Sequence, residues 1–175
     1  MALDSPRGLE LRGTPTDFVC VTVQVKASAT VYAGDPVKIE AASGNFERVA
    51  AGNEYQGVAL TYGASGASDL ASIQVCIDPL ATYTVQVENG GTTLAKTDLF
   101  EGFDVVVPAG PPADIYSDME LEDAAQGTGG QFILIGIDDN GPDPDGTLKP
   151  TFGEALIRAI VRPNFNEMAS VVLDN

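Results

Sequence analysis

Phe18-Val19-Cys20-Val21-Thr22-Val23-Gln24-Val25 decides the fold. Valine at every second position puts Val19, Val21, Val23 and Val25 on one face and Cys20, Thr22 and Gln24 on the other, the period of a half-buried strand. Outward from it the same alternation returns in short pieces. Ala33-Gly34-Asp35-Pro36 turns the chain into Val37-Lys38-Ile39-Glu40, and Ser43-Gly44-Asn45 reverses it into Phe46-Glu47-Arg48-Val49. Ala50-Ala51-Gly52-Asn53 breaks it again before Tyr55-Gln56-Gly57-Val58-Ala59-Leu60. Ile73, Val75 and Ile77 alternate until Asp78-Pro79, and Thr82-Tyr83-Thr84-Val85-Gln86-Val87-Glu88 follows.

The second half is less regular. Residues 63–68 read as a loop, residues 89–98 as a hairpin or excursion, and residues 103–107 as a short strand. Residues 108–130 read as one long loop, with a helical turn near Met119 as its one regular piece. Gln131-Phe132-Ile133-Leu134-Ile135-Gly136-Ile137 is an unbroken apolar run, the pattern of a central strand covered on both faces. Residues 154–162 fit a strand that Pro163 ends. The expected fold is all-β: a single β-sandwich or barrel-like domain of about ten short strands, with little helix. Its parts are an extended N-terminal arm (1–16), the β domain (17–163) with an acidic, loop-rich excursion (98–145), and a C-terminal tail (164–175). Residues 1–8 hold no apolar stretch, so no leader is expected, and no run is long enough for a membrane helix.

Charge narrows the function classes. Nine basic residues against twenty-five acidic ones give −16, with no histidine to moderate it. Such a surface repels phosphate backbones and anionic lipid, so neither nucleic acid nor membrane is an expected partner. Residues 97–148 hold twelve of the acids and no Lys or Arg. A negative region of one copy can therefore meet a positive region of another, with Arg158 and Arg162 as candidate contacts; a solvated acidic flank is the plainer reading.

No catalytic residues are assigned. Without histidine there is no Ser-His-Asp or Cys-His machinery and no His-based metal site. Nucleotide-binding glycine motifs are absent as well. The tightest cluster of hard ligands, residues 138–146, fails the spacing of a calcium loop and reads as a solvated turn, so no metal or cofactor is expected. Tyr32, Tyr55, Tyr62, Tyr83 and Tyr116 share no spacing that would build a sugar-binding face. Cys20 and Cys76, the two cysteines, can pair if their strands are neighbours; two buried free thiols is the reading adopted.

Tyr32-Ala33-Gly34-Asp35-Pro36-Val37-Lys38-Ile39, then Gly44, Val49-Ala50-Ala51-Gly52 and Gln56-Gly57-Val58-Ala59-Leu60, resemble the head decoration (cement) proteins of tailed bacteriophages. The resemblance covers about thirty small and turn-forming residues. It implies a β-rich module without an active site, seated as a homotrimer on the outer surface of the capsid and bridging major capsid protein subunits. Such a protein is made in the host cytoplasm and ends in the virion. The ends of the chain would then reach neighbours, with Pro6, Leu9, Leu11 and Phe165 as contacts. A phage tail-tube protein, with residues 82–100 as its ring-sealing hairpin, is the alternative reading. A carbohydrate-binding or adhesin module is the third.

Overall fold

The computed structural model describes residues 6–49, 52–88, 90–107, 112–125, 127, 129–138, 151–154 and 157–164. Within these, the chain is all-β. Its first strands are β1 (Glu10–Leu11), β2 (Cys20–Gln24), β3 (Thr30–Val31), β4 (Pro36–Ile39), β5 (Phe46–Arg48), β6 (Gly57–Ala59) and β7 (Gly63–Ala64). They are followed by β8 (Ser72–Cys76), β9 (Tyr83–Gln86), β10 (Gly102–Phe103), β11 (Val105–Val106), β12 (Glu120–Leu121), β13 (Phe132–Ile137) and β14 (Arg158–Pro163). Two 3-10 turns, Pro15–Asp17 and Lys96–Asp98, are the only helical pieces among the described residues.

Two five-stranded antiparallel sheets form a sandwich-like domain. One runs β1-β9-β14-β13-β10 and the other β2-β8-β6-β4-β5, with the pairs β11-β12 and β3-β7 beside them. Side chains from both sheets make the main core: Val58 and Cys76 from the second meet Tyr83, Val85, Phe132, Leu134, Ala159 and Val161 from the first. The alternation of the second sheet sends Val37, Ala59, Ile73 and Val75 the other way, into a smaller cluster with Val25 and Val31. That sheet is therefore apolar on both faces, and β3-β7 belongs to the cover of its outer one.

Strand β9 is buried on both faces by different means. Tyr83 and Val85 enter the main core, while Thr84 and Gln86 are buried with polar partners. The Arg12 guanidinium donates to the Thr84 hydroxyl (3.2 Å), and the Gln86 amide donates to Glu120 (2.8 Å).

Several expectations change. Val21, Val23 and Val25 point inward as their spacing requires, but Val19 is 56% exposed because it lies beyond the last ladder pair of β2 and β8. The apolar run of β13 buries Phe132 and Leu134 fully but Ile133 and Ile135 only partly. A register shift between Leu134 and Gly136 re-aims the side chains there. The strand expected over residues 103–107 divides at Asp104, so that Phe103 joins the large sheet and Val105 pairs with Leu121. Residues 108–130 are not one loop, since Met119 and Leu121 are fully buried and β12 forms there. Residues 63–64 are strand β7, not loop.

The largest change is at the N-terminus. Residues 9–12 are not an arm reaching outward: Leu9 is 2% exposed in the domain's own core and β1 pairs with β9. Two glycines allow this. A β-carbon on Gly8 (φ +65°) would lie 2.5 Å from Ser117, and one on Gly34 (φ +96°) would lie 2.6 Å from the Arg7 carbonyl. With both positions bare, the Leu9 amide donates to the Gly34 carbonyl at 3.1 Å.

Leu9→Ala should lower the unfolding free energy by about 2–4 kcal/mol in urea titration, the cost of a core cavity. An arm held only by a neighbouring chain would leave the isolated protein unchanged.

Candidate functional site

The turn at Gly34 and Asp35 is the junction of four chain segments. Backbone hydrogen bonds run from Leu9 to Gly34, from Gly34 to Ala59, from Ala59 to Asp35, and from Ala33 to Ile115. The Asp35 side chain is fully buried. Its carboxylate accepts the Tyr32 amide (2.8 Å) and the Arg48 Nε–H (3.0 Å), and the Ser117 hydroxyl also bonds to it. Arg48 reaches on to Asp118 (3.3 Å) and lies over the Tyr32 ring at 5.7 Å. Burial raises the Asp35 carboxyl above its ordinary value of 3.8, and Arg48, Ser117 and Tyr32 oppose that without cancelling it.

Beside this junction a groove of about 270 Å³ opens between the N-terminal segment and the turn. Leu9, Leu11 and Pro15 make its apolar side, and Arg7, Glu10 and Tyr116 bring polarity. The Arg7 guanidinium lies 5.1 Å over the Tyr116 ring. Glu10 is ion-paired with Arg158. Among the described residues Glu10 is the one carboxylate lining the groove and its charge is paired, so the lining offers apolar contact, a cation on an aromatic face and backbone polar groups. That set suits recognition of a surface or peptide.

Of the residues singled out from sequence, Leu9 and Leu11 line this groove, and Arg158 reaches it through Glu10. Pro6 is half-buried next to Arg7. Arg162 is exposed on β14, opposite Ile133, away from this ion pair. Phe165 and the tail from residue 165 lie outside the described residues, as does the acidic loop beyond Asp138. Asp138 itself is 3.3 Å from Arg12. No group of three His, Cys, Asp or Glu side chains among the described residues is placed to hold a metal ion.

The tyrosines separate by burial. Tyr55 and Tyr83 pack on Phe132 in the core, with ring centroids 5.0 and 6.4 Å away. Tyr32 and Tyr62 pair at 5.6 Å, and Tyr116 is on the groove. Sequence reasoning missed Arg7, Glu10 and Tyr116 as partners. The one signal available was the Gly8 and Gly34 pair, whose need for close approach is visible only once the two turns meet.

The acids have a second role that the charge total conceals. Carboxylates of Asp17, Glu40, Asp98, Asp104, Asp114 and Asp123 each accept a backbone amide in or near a turn. Those bonds, first to the Thr14 and Ser43 side chains and then to backbone amides, hold Asp17 and Glu40 below their ordinary values. The cations are drawn inward too: Arg12, Lys26, Lys38, Arg48 and Arg158 all pair with acids of the same chain. The positive region expected to meet a neighbour's acids is thereby partly neutralised.

No protein-family model, no curated protein and no solved structure matches the chain.

Removing Arg48 should leave Asp35 buried without its counter-ion, held only by the Tyr32 amide and the Ser117 hydroxyl. Arg48→Ala is expected to cost about 3 kcal/mol of stability, measured by chemical denaturation. Asp35 contributes with the opposite sign to a usual ion-paired carboxylate. Its raised folded value means the native state binds the proton more readily, so wild type should lose stability relative to Asp35→Asn as pH rises from 3.8 through that value. A gap that moves the other way would show that Arg48 outweighs burial.

Proposed function

We propose that this chain is a virion structural protein, a decoration or cement protein bound to the outer surface of a bacteriophage head. The observation that carries the reading is the shape of the segment that resembles such proteins. Val37, Lys38 and Ile39 of β4 pair with Arg48, Glu47 and Phe46 of β5, and Pro36 and Val37 pair with Val58 and Gly57 of β6. The resemblance thus falls on one three-stranded unit closed by the Asp35 turn, not on scattered residues.

In this reading the module works by mass action. It has higher affinity for the assembled lattice of major capsid protein than for its alternatives, and several simultaneous contacts per homotrimer raise the occupancy. The groove lined by Arg7, Leu11 and Tyr116 is the shell-facing contact. The tail-tube alternative loses its sealing hairpin: β9 lies between β1 and β14, and residues 96–98 form a 3-10 turn.

Electron microscopy of purified particles should find the protein in many copies over the head. Confinement to the tail, or absence from particles, would end the proposal. With undecorated shells and purified protein, Tyr116→Ala should weaken binding at least about tenfold while shifting the melting temperature little.

A further inference from the structure

Cys20 and Cys76 stand directly opposite each other on the neighbouring antiparallel strands β2 and β8. Just beyond the two ends of this ladder the Ile77 amide donates to the Val19 carbonyl and the Val25 amide to the Ala71 carbonyl, both at 2.9 Å, so the hydrogen-bonding positions of β2 fall on its odd-numbered residues. Antiparallel ladders alternate, which makes Cys20 and Cys76 a non-hydrogen-bonded pair; the Cys76 position faces Val58 of β6 on its other side. In such pairs the α-carbons approach to about 4.5 Å, inside the range of roughly 4.4–6.8 Å that a disulfide spans. Both side chains point to the same face, toward the main core. Both are free thiols in this structure, Cys76 fully buried and Cys20 partly open.

We propose that this pair is an oxidation site, closing to a cross-strand disulfide when the folded chain meets a low-molecular-weight disulfide such as oxidised glutathione. Cys20 is the entry thiol because solvent reaches it, and Cys76 resolves. The Cys20 thiolate attacks one sulfur of the small disulfide, forming a mixed disulfide and releasing one thiolate. The Cys76 sulfur, as it loses its proton, then attacks Cys20 Sγ, forming the Cys20 to Cys76 bond and expelling the second thiolate. Two protein thiols lose two electrons, the small disulfide gains them, and the two protons end on the released thiols.

The site is slow by construction. Burial, the facing Cys76 sulfur and Asp78 push the Cys20 thiol up to about 11, with the Tyr83 hydroxyl also close to the pair. At neutral pH the thiolate is therefore scarce, and the rate should rise about tenfold per pH unit until that value is approached. Closure would tie a 57-residue stretch of the chain and lock β2 to β8.

The test is to incubate the reduced full chain with excess oxidised glutathione at mildly alkaline pH, then denature, alkylate and weigh it. The expected product is a monomer two hydrogen atoms lighter, with neither cysteine alkylated. Its melting temperature should be higher by about 5–10 °C, and the gain should vanish with reductant. Cys76→Ser should stall as a glutathione adduct on Cys20. Two alkylated cysteines, a lasting adduct on the wild-type chain, or a disulfide-linked dimer would each overturn the proposal. The wild-type mass decides this even if the variant does not fold.

Discussion

A buried carboxylate constrains the whole molecule. Asp35 has no access to water, and an ion in that position without partners would cost several kcal/mol, so the fold must bring partners to it. They come from Tyr32 three residues before it, Arg48 in β5 and Ser117 far along the chain. Satisfying one side chain therefore holds together the first turn, the β4-β5 hairpin and the region of residues 115–118. The N-terminal segment is tied to the same point by backbone, through Gly8 and Gly34. The groove exists because these segments meet there.

A chain with this charge imbalance folds because much of its acid is occupied locally. Short strands joined by turns leave many amides without ladder partners, and buried or half-buried amides must find acceptors. Asp35, Asp104 and Asp123 supply them here, while Asp17, Glu40, Asp98 and Asp114 take exposed amides of their own turns. Among the described residues Arg12, Lys26, Lys38, Arg48 and Arg158 are in ion pairs within the chain, which damps repulsion without needing a partner. Negative charge thus has a structural use before any functional one, and a count of charges alone mistakes the first for the second.

Gln131 does for the first sheet what Asp35 does for the second. Its side chain accepts the Val105 amide and donates to the Asn53 carbonyl, while its backbone carbonyl takes the Tyr55 hydroxyl and the Asn164 amide. Polar anchors of this kind give the core a single register, because slipping a strand would strand a buried polar group.

Local pattern was enough for the fold class and for the positions of six strands in the first half of the chain. Period-two alternation and Gly, Pro and Asp turns act over a few residues, so β2, β4, β5, β6, β8 and β9 were legible from Val19 to Glu88. Tertiary structure alone decided which strand lies beside which, since alternation tells a side chain its face but not its neighbour. That is why the N-terminal residues, read as an arm, became β1 on the edge of β9. It is also why the strand near Val105 split between two sheets, and why Cys20 came to face Cys76. The groove was illegible for the same reason: Arg7, Glu10 and Tyr116 are unremarkable in sequence and acquire meaning only when two glycines let their segments touch.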